Sequence, residues 1–222
     1  MISINDIDSL FTSFTTTKIG VVGDIMLDTY WWGVVDRISP EAPVPIVSLQ
    51  RKETRVGGAA NVALNLRSLG APTTLFSVIG KDAEGTDLAN LLNKEGINTS
   101  YIHESETRVT TNKVRIMGRN QQMMRLDHEH TNDITAEQEA ALLAGFYKYV
   151  DTEKPSLIIL EDYNKGVLTE KVISKVIAEN EAVAKDSYRF NPMLLTSAEL
   201  GGFHGNNERI SQDNLHKAVL FY

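Results

Sequence analysis

The sequence of 222 residues contains no cysteine. This absence excludes disulfide frameworks, thiolate nucleophiles and zinc sites ligated by cysteine, and it is compatible with a reducing compartment. No apolar run approaches the roughly 20 residues that a membrane helix requires. The N-terminus also lacks the basic start and the apolar block of a secretory signal. We therefore expect a cytoplasmic protein that does not insert into membranes.

Basic residues are fewer than acidic ones, with 22 Lys and Arg against 29 Asp and Glu and a net charge of -7. This balance argues against nucleic acid or an anionic membrane as the main partner. It does not exclude small anionic ligands, because a few local cations can outweigh a distant negative field. The sequence also lacks the GxxxxGK[ST] and GxGxxG motifs, the fingerprints of P-loop and dinucleotide-binding proteins.

Apolar runs of strand length alternate with helical patterns along most of the chain. Strands are predicted within 18–28, 73–80 and 155–166, and helices at 58–69 and 83–96. A further helix follows the capping box of Thr135 and Gln138, and another follows the third strand. This alternation predicts an α/β fold with a doubly wound, mostly parallel sheet. The length fits a single domain over residues 1–222.

Two segments, 33–56 and 107–127, depart from this pattern. Three prolines, at 40, 43 and 45, lie ahead of or within the start of an alternating stretch at 44–50, which suits an edge strand because proline cannot complete a hydrogen-bond ladder. Alternation of polar and apolar residues in 107–127 predicts antiparallel strands with one wet face, paired with 44–50. We therefore expect a small antiparallel β-lid on a larger α/β body.

Polar residues and glycines follow the predicted strands at three places: Asp24 and Asp28, then Gly57, Gly58 and Asn61, then Glu161, Asp162 and Lys165. Ligands of open parallel sheets bind beyond the carboxyl ends of the strands, so these groups are expected to converge. The glycine pair has two interpretations. It can form a tight turn that needs positive φ, or it can let a ligand approach backbone N–H groups at a helix N-terminus.

Other residues near these strand ends suit a sugar ligand. Asp28 precedes the aromatic residues 30–32, and carboxylates accept hydroxyl hydrogen bonds while aromatic faces pack on sugar rings. Arg119, Asn120, Gln121 and Arg125 suit either a wet strand face or a phosphorylated sugar. The acidic and histidine run at 127–130 is typical of a solvated loop and not of a metal site.

Four segments resemble the ribokinase-type (PfkB) carbohydrate kinases: "VVGDIMLDTYWWGVVDRISPEAPVPIV", "RVGGAANVALNLRSLGA", "RNQQMMRLD" and "EDYNKG". Within that family they are most similar to the heptose 7-phosphate kinase domains of bifunctional ADP-heptose synthases, over residues 18–178. The resemblance implies a ribokinase-like body with a β-lid that closes over the substrate. It also implies a homodimer formed through that lid.

The resemblance further implies ATP- and Mg²⁺-dependent phosphorylation of D-glycero-β-D-manno-heptose 7-phosphate at its anomeric hydroxyl. The product would be the 1,7-bisphosphate, on the route to ADP-heptose and lipopolysaccharide. By matching position, the sugar would be bound by Asp28, Gly57, Gly58, Asn61, Asp162 and Lys165, with Arg119, Asn120, Gln121 and Arg125 from the lid. The segment "MLLTSAELGG" resembles a strand that borders the nucleotide, which implies that Thr196, Glu199 and Gly201 bind ATP. No protein ligand for the metal is implied.

The sequence departs from the family pattern in its last part. The family's catalytic aspartate lies in a Gly-Ala-Gly-Asp turn, which is absent here, so no catalytic residue is assigned. We expect a kinase domain that is incomplete near 180–192 and 209–212, with no nucleotidyltransferase domain. Two alternatives stay open: a sugar kinase of the same fold with another acceptor, or a sugar-phosphate-binding protein without turnover.

Overall fold

A computed structural model describes residues 4–183, which lie within the compact unit Met1–Ala184. The helices of this part are α1 (Ile4–Phe14), α2 (Ala59–Ser68), α3 (Ala83–Lys94), α4 (Ala136–Glu153) and α5 (Glu170–Val183). Its strands are β1 (Ile19–Gly23), β2 (Ile25–Ile38), β3 (Pro45–Gly58), β4 (Thr73–Gly80), β5 (Asn98–Ser105), β6 (Asn112–Gly118), β7 (Gln121–His128) and β8 (Leu157–Glu161). The predicted nucleotide residues Thr196, Glu199 and Gly201 lie outside the described residues, as does the suspected break at 209–212.

The first sheet has the strand order β5-β4-β1-β8, and all its neighbouring strands are parallel. Successive residues of β1 point to opposite faces. Val21 packs with buried residues of α2 and α3, and Val22 packs with buried residues of α4 and α5. Helices therefore cover both faces of the sheet, which confirms the predicted doubly wound α/β architecture.

Helix α2 covers the sheet with small side chains. The pattern predicts an inward stripe of Val62, Leu66 and Leu69, but the buried residues of the helix are Ala59, Ala60 and Ala63. Val62 and Leu66 are only partly buried, and Leu69 follows the helix and is 45% exposed. Alanines at these positions let the helix axis lie close to the strands, which is why the larger residues flank the contact.

The second sheet has the order β3-β2-β6-β7. Strands β2 and β3 are antiparallel, as are β6 and β7, but the central pair β2 and β6 is parallel. The sheet is therefore mixed, not wholly antiparallel, and β2 separates the 44–50 segment from the strands with which it was expected to pair. The proline-rich strand does lie at an edge, with Pro45 as its first residue. The sheet begins at Ile25, earlier than the expected lid boundary at 33.

Three further points differ from the sequence predictions. The expected strand at 18–28 is broken at Asp24, so that its two parts enter different sheets. Among the described strands, β8 lies at an edge of the first sheet and is half-buried, although a buried strand was expected. Helix α1 and strand β5 were not predicted. Strand β5 has the mixed pattern NTSYIHES, which does not alternate clearly between polar and apolar residues. None of the helices in residues 4–183 is long and apolar enough to span a membrane.

Helix α3 begins at a carboxylate that also fixes a distant loop. Asp82 accepts hydrogen bonds from the backbone N–H of Gly85 at 2.7 Å and of Thr110 at 2.8 Å. Burial alone would raise the pKa of Asp82, but the hydrogen bonds from Thr110 and Gly85 outweigh it, so the pKa lies below its ordinary value. Asp82 therefore stabilises the fold in its ionised form.

We expect Asp82→Ala to lower the free energy of unfolding by about 1–2 kcal/mol at neutral pH, because an N-cap and a loop contact are lost. A group with a lowered pKa loses its stabilising contribution as the pH falls through its folded pKa. The difference between wild type and variant should therefore shrink in acid. Urea unfolding across the acid range measures it, with exposed Asp87→Ala in the same helix as the control. A difference that grows as the pH falls would contradict this role.

Candidate functional site

Asp28 lies inside β2 and not at a strand end. Its Oδ1 accepts a hydrogen bond from Arg115 Nη1, and both side chains are about one-fifth exposed, 23% for Asp28 and 21% for Arg115. A Cβ atom at Gly57 would overlap Asp28 Oδ2 and would lie 3.0 Å from Met26 Cγ. The Asp28 carboxylate is therefore held between an arginine and a residue without a side chain.

The second glycine of the pair is required by the backbone. Gly58 has φ 60° and ψ -140°, a conformation that residues with a side chain rarely adopt. A Cβ atom there would also overlap the carbonyl oxygen of Asp24. That same oxygen accepts the Ala59 N–H at 2.9 Å, so one N-terminal donor of α2 is used inside the protein. Both glycines thus make room for the chain's own aspartates.

The Asp24 side chain fixes the loop after β8. Asp24 is 1% exposed. Its Oδ2 accepts the backbone N–H groups of Tyr163 at 2.9 Å and Lys165 at 3.0 Å, and its Oδ1 accepts that of Val167 at 3.1 Å. Burial raises the pKa of Asp24, and the three hydrogen bonds reduce this effect without cancelling it. The loop that carries Asp162 and Lys165 is therefore attached directly to the junction of the two sheets.

Lys165 is held from several directions. Its Nζ donates to Glu129 Oε1 at 2.8 Å, and its carbonyl oxygen accepts Arg108 Nη2 at 2.5 Å. The side chains of Lys165 and Glu129 are 15% and 18% exposed. The prediction of a solvated loop at 127–130 is therefore wrong for Glu129. Sequence reasoning did not single out Glu129, Arg115 or Arg108 as site residues, and their pairing across 36 to 87 residues leaves no local pattern.

A charged face of the second sheet lies next to this loop. Arg125 donates to both oxygens of Asp127, from Nε at 2.7 Å and from Nη2 at 2.9 Å. The hydrogen bond that Arg125 donates to Asp127 is the main cause that raises the pKa of Arg125, and the charges of Glu129 and Asp28 add to it. The charge of Lys165 in turn helps to lower the pKa of Asp127. Asp28, Arg125 and Lys165 therefore share one electrostatic environment.

The aromatic residues after Asp28 are stacked with arginines. The rings of Tyr30 and Trp32 lie 6.0 Å apart at an angle of 16°. The guanidinium groups of Arg55 and Arg115 each lie 5.3 Å from the centre of the Tyr30 ring. These contacts support Arg115, which in turn holds Asp28. The aromatic faces that were expected to meet a sugar are thus partly covered by the protein's own cations.

The other predicted site residues are exposed. Asn61 is the third residue of α2, and Asp162 Oδ1 accepts the Asn164 N–H at 2.7 Å within its own loop. The charge of Asp28 contributes to raising the pKa of Tyr163, after burial and Glu161. The register places Arg125 opposite Arg115, which holds Asp28, and Gly57 lies against the same carboxylate. Lys165 meets Glu129 directly after β7, and Asp162 lies in the loop of Lys165.

Arg119, Asn120 and Gln121 lie at the far end of the β6–β7 hairpin. Asp28 pairs with Lys113 and Gly33 with Gly118, so five residues, or about 17 Å of strand, separate the hairpin end from Asp28. Arg119 lies 3.7 Å from the exposed carboxylate of Asp36. The structure does not bring these three residues together with Asp28.

The site offers acceptors and donors suited to a polyhydroxylated, anionic ligand. Carboxylates accept hydroxyl hydrogen bonds, and lysine and arginine bind phosphate. Within residues 4–183, no group of three or more acidic or histidine side chains could hold a metal ion. Mg²⁺ commonly takes only one or two carboxylates together with substrate phosphates.

We expect Gly57→Ala to destabilise the protein by about 1–3 kcal/mol, because the methyl group must displace the Asp28 carboxylate. In an Asp28→Ala background the overlap is relieved, so the same substitution should cost less. Chemical denaturation of the two single variants and the double variant forms a double-mutant cycle. Equal costs in both backgrounds would show that Gly57 is not packed against Asp28.

Comparison with known proteins identifies the relatives of this chain. The model of the pfkB family carbohydrate kinases matches residues 16–193. The chain is 49% identical over 162 residues to Bifunctional protein HldE of Methylobacillus flagellatus, covering 73% of this chain and 33% of that protein. It is 42% identical over 173 residues to D-beta-D-heptose 7-phosphate kinase of Bordetella bronchiseptica, covering 76% and 53%. The chain thus spans about a third to a half of the length of these relatives.

Solved structures share the fold. A carbohydrate kinase from Agrobacterium tumefaciens matches with a TM-score of 0.53 and 19% identity, over 75% of this chain and 51% of that one. Arabidopsis thaliana ribokinase, complexed with ribose and ATP, matches with a TM-score of 0.53 and 17% identity, over 74% and 51%. The fold is therefore ribokinase-like. Because the family model matches residues 16–193, most of this chain, the chain belongs to the pfkB family of carbohydrate kinases.

Proposed function

We propose that the protein is the kinase part of an ADP-heptose synthase pathway enzyme, which phosphorylates D-glycero-β-D-manno-heptose 7-phosphate at its anomeric hydroxyl. The observation that carries this proposal is the Asp28 carboxylate held between Arg115 and Gly57, with Arg125 opposite Arg115 on the next strand, in a chain of the pfkB family. The relative from Bordetella bronchiseptica, named as a D-beta-D-heptose 7-phosphate kinase, supports the choice of acceptor. We place this activity in the cytoplasm, where ATP is available.

In this reaction the hydroxyl oxygen attacks the γ-phosphorus of ATP, and the bond between that phosphorus and the β,γ-bridging oxygen breaks. ADP leaves, and the proton of the hydroxyl is released to water. Bound Mg²⁺ would neutralise phosphate charge. The described residues contribute binding and orientation of the acceptor. Asp28 accepts a sugar hydroxyl, and Lys165 and Arg125 attract the sugar phosphate. Such positioning lowers the barrier because the two reactants no longer need to find their alignment in solution.

The nucleotide half of the site rests on the sequence resemblance, in which Thr196, Glu199 and Gly201 contact ATP. The catalytic aspartate is not assigned, since the Gly-Ala-Gly-Asp turn is absent from the sequence. The second sheet, which contains the predicted lid segments 33–56 and 107–127, would act as a lid whose charged face lies over the sugar. Closure of this lid would exclude water, which competes with the sugar as phosphoryl acceptor.

A panel of sugar 7-phosphates and other sugar phosphates tests the assignment, with binding measured by calorimetry and ADP release measured in the presence of ATP and Mg²⁺. Binding and turnover with the heptose 7-phosphate support the proposal. Turnover only with another acceptor identifies a different sugar kinase of this fold. Binding without turnover identifies a sugar-phosphate-binding protein, and absence of binding to every member of the panel overturns the site.

We expect Asn61→Ala to weaken binding of the heptose 7-phosphate about 5- to 150-fold, because a hydroxyl loses its hydrogen-bond partner. Asn65→Ala is the matched control, since Asn65 is exposed on the same helix one turn later. Its affinity should equal that of the wild type. If both variants bind the acceptor as the wild type does, Asn61 does not belong to the sugar site.

We also propose a homodimer through the face of the second sheet opposite Asp28. The register places Val114, Ile116, Met124 and Leu126 on that face, and Met124 and Leu126 are 54% and 46% exposed. Isolated apolar residues are normal on surfaces, but neighbouring ones on adjacent strands mark interaction sites. Two copies related by a two-fold axis can cover this face with itself.

Leu126→Glu should therefore convert a dimer into a monomer, because each copy would bury one carboxylate in the shared interface. Light scattering coupled to size-exclusion chromatography measures the mass. Asn90→Glu adds the same charge on the exposed surface of α3 and should leave the mass unchanged. A wild-type protein that is monomeric at all concentrations would rule out this dimer.

A further inference from the structure

Arg108 joins three loops that are distant from one another in the sequence. It lies between β5 and β6, its Nη1 donates to the carbonyl oxygen of Asn132 at 2.9 Å, and its Nη2 donates to that of Lys165 at 2.5 Å. Asn132 lies in the segment after β7 of the second sheet, and Lys165 lies in the loop after β8 of the first sheet. One guanidinium group therefore holds the end of the predicted lid to the loop of Lys165.

The two carbonyl oxygens lie where the loops after β7 and β8 pack closely. The Ile134 N–H donates to the carbonyl oxygen of Gly166 at 2.9 Å. Gly166 has φ 83°, and a Cβ atom there would overlap the carbonyl oxygen of Asn132. The two loops therefore touch through their backbones, and Arg108 supplies the donors for a carbonyl group of each.

The hydrogen-bond partners of Arg108 are neutral. Within residues 4–183, its guanidinium group donates to backbone carbonyl oxygens and not to a carboxylate. Burial is the main cause that lowers the pKa of Arg108, and the charges of Asp24 and Asp133 oppose this effect only in part. A half-buried cation without an ion pair is costly to desolvate. Arg108 therefore contributes by fixing the backbone of two loops and not by pairing charges.

These contacts fix the residue that is proposed to attract the sugar phosphate. The backbone N–H of Lys165 donates to Asp24 at 3.0 Å, its carbonyl oxygen accepts from Arg108, and its Nζ donates to Glu129 at 2.8 Å. An ammonium group has three N–H donors, and among residues 4–183 Glu129 is the one acceptor that Nζ meets. Two donors are therefore left for a ligand. Because a lysine side chain has many rotamers, a fixed backbone keeps its ammonium group near one position.

We propose that Arg108 is a positioning residue for the sugar phosphate: it holds the backbone of Lys165 so that the ammonium group stays where the phosphate binds. This inference rests on the proposed function, because it needs Lys165 to attract that phosphate. Arg108 acts through Lys165 and does not itself touch the ligand. The substitution Arg108→Lys keeps the charge but loses the planar fork that reaches two carbonyl oxygens at once.

The test measures by calorimetry how the heptose 7-phosphate, and the same heptose without its phosphate, bind to the wild type, Arg108→Lys, Lys165→Gln and the double variant. Arg108→Lys should weaken binding of the phosphorylated sugar by about fivefold or more and leave binding of the unphosphorylated sugar unchanged. In the Lys165→Gln background it should have no further effect, because no ammonium group is left to position. A purely structural role of Arg108 would instead weaken both sugars equally in both backgrounds, and would overturn the inference.

Arg67→Lys is the matched control, because it makes the same exchange at an exposed arginine in the last turn of α2. It should leave both affinities unchanged. If Arg108→Lys does not fold, Arg108→Gln replaces it, with circular dichroism as the check. Failure of the wild type to bind the heptose 7-phosphate refutes the proposed function itself. Binding of that sugar without coupling between Arg108 and Lys165 refutes only the role of Arg108.

Discussion

The carboxylate of Asp24 is the interaction on which the site depends. It lies between β1 and β2, where the chain passes from the first sheet to the second. Its side chain accepts three backbone N–H groups of the loop after β8, and its carbonyl oxygen accepts the first N–H of α2. One residue therefore joins both sheets, a helix N-terminus and the loop of Lys165. Its burial raises its pKa, which is the energetic cost of placing a carboxyl group at this junction.

This junction explains the glycine pair. A helix whose first N–H meets the Asp24 carbonyl must approach the strand closely, and a side chain at Gly58 would prevent that approach. Gly57 then lies against the carboxylate of Asp28, four residues after Asp24. The structure thus supports the structural interpretation of the glycines, while the approach of a ligand to the N-terminus of α2 stays a prediction. The same absence of side chains that permits the packing also fixes the position of the carboxylate that is proposed to bind the sugar.

Local patterns were sufficient to predict the α/β body, the capping box at Thr135 and the edge position of the proline-rich strand. They failed where partners are distant in sequence. The parallel pairing of β2 with β6 and the contact of Arg115 with Asp28 join residues more than 80 positions apart, and no periodicity encodes them. Glu129 was missed for the same reason. A short acidic run is usually solvated, and only the return of the chain at Lys165 buries it.

The net charge of -7 does not describe the field at the site. Arg115, Arg125 and Lys165 each meet a carboxylate there, so each charge is held in position before any ligand arrives. Side chains that are already fixed lose little conformational entropy on binding, so more of the interaction energy is available to the ligand. The acidic partners of these cations also restrict which anions can bind. An anion must be accompanied by hydroxyl groups that satisfy the carboxylates, and this requirement favours a sugar phosphate over inorganic phosphate.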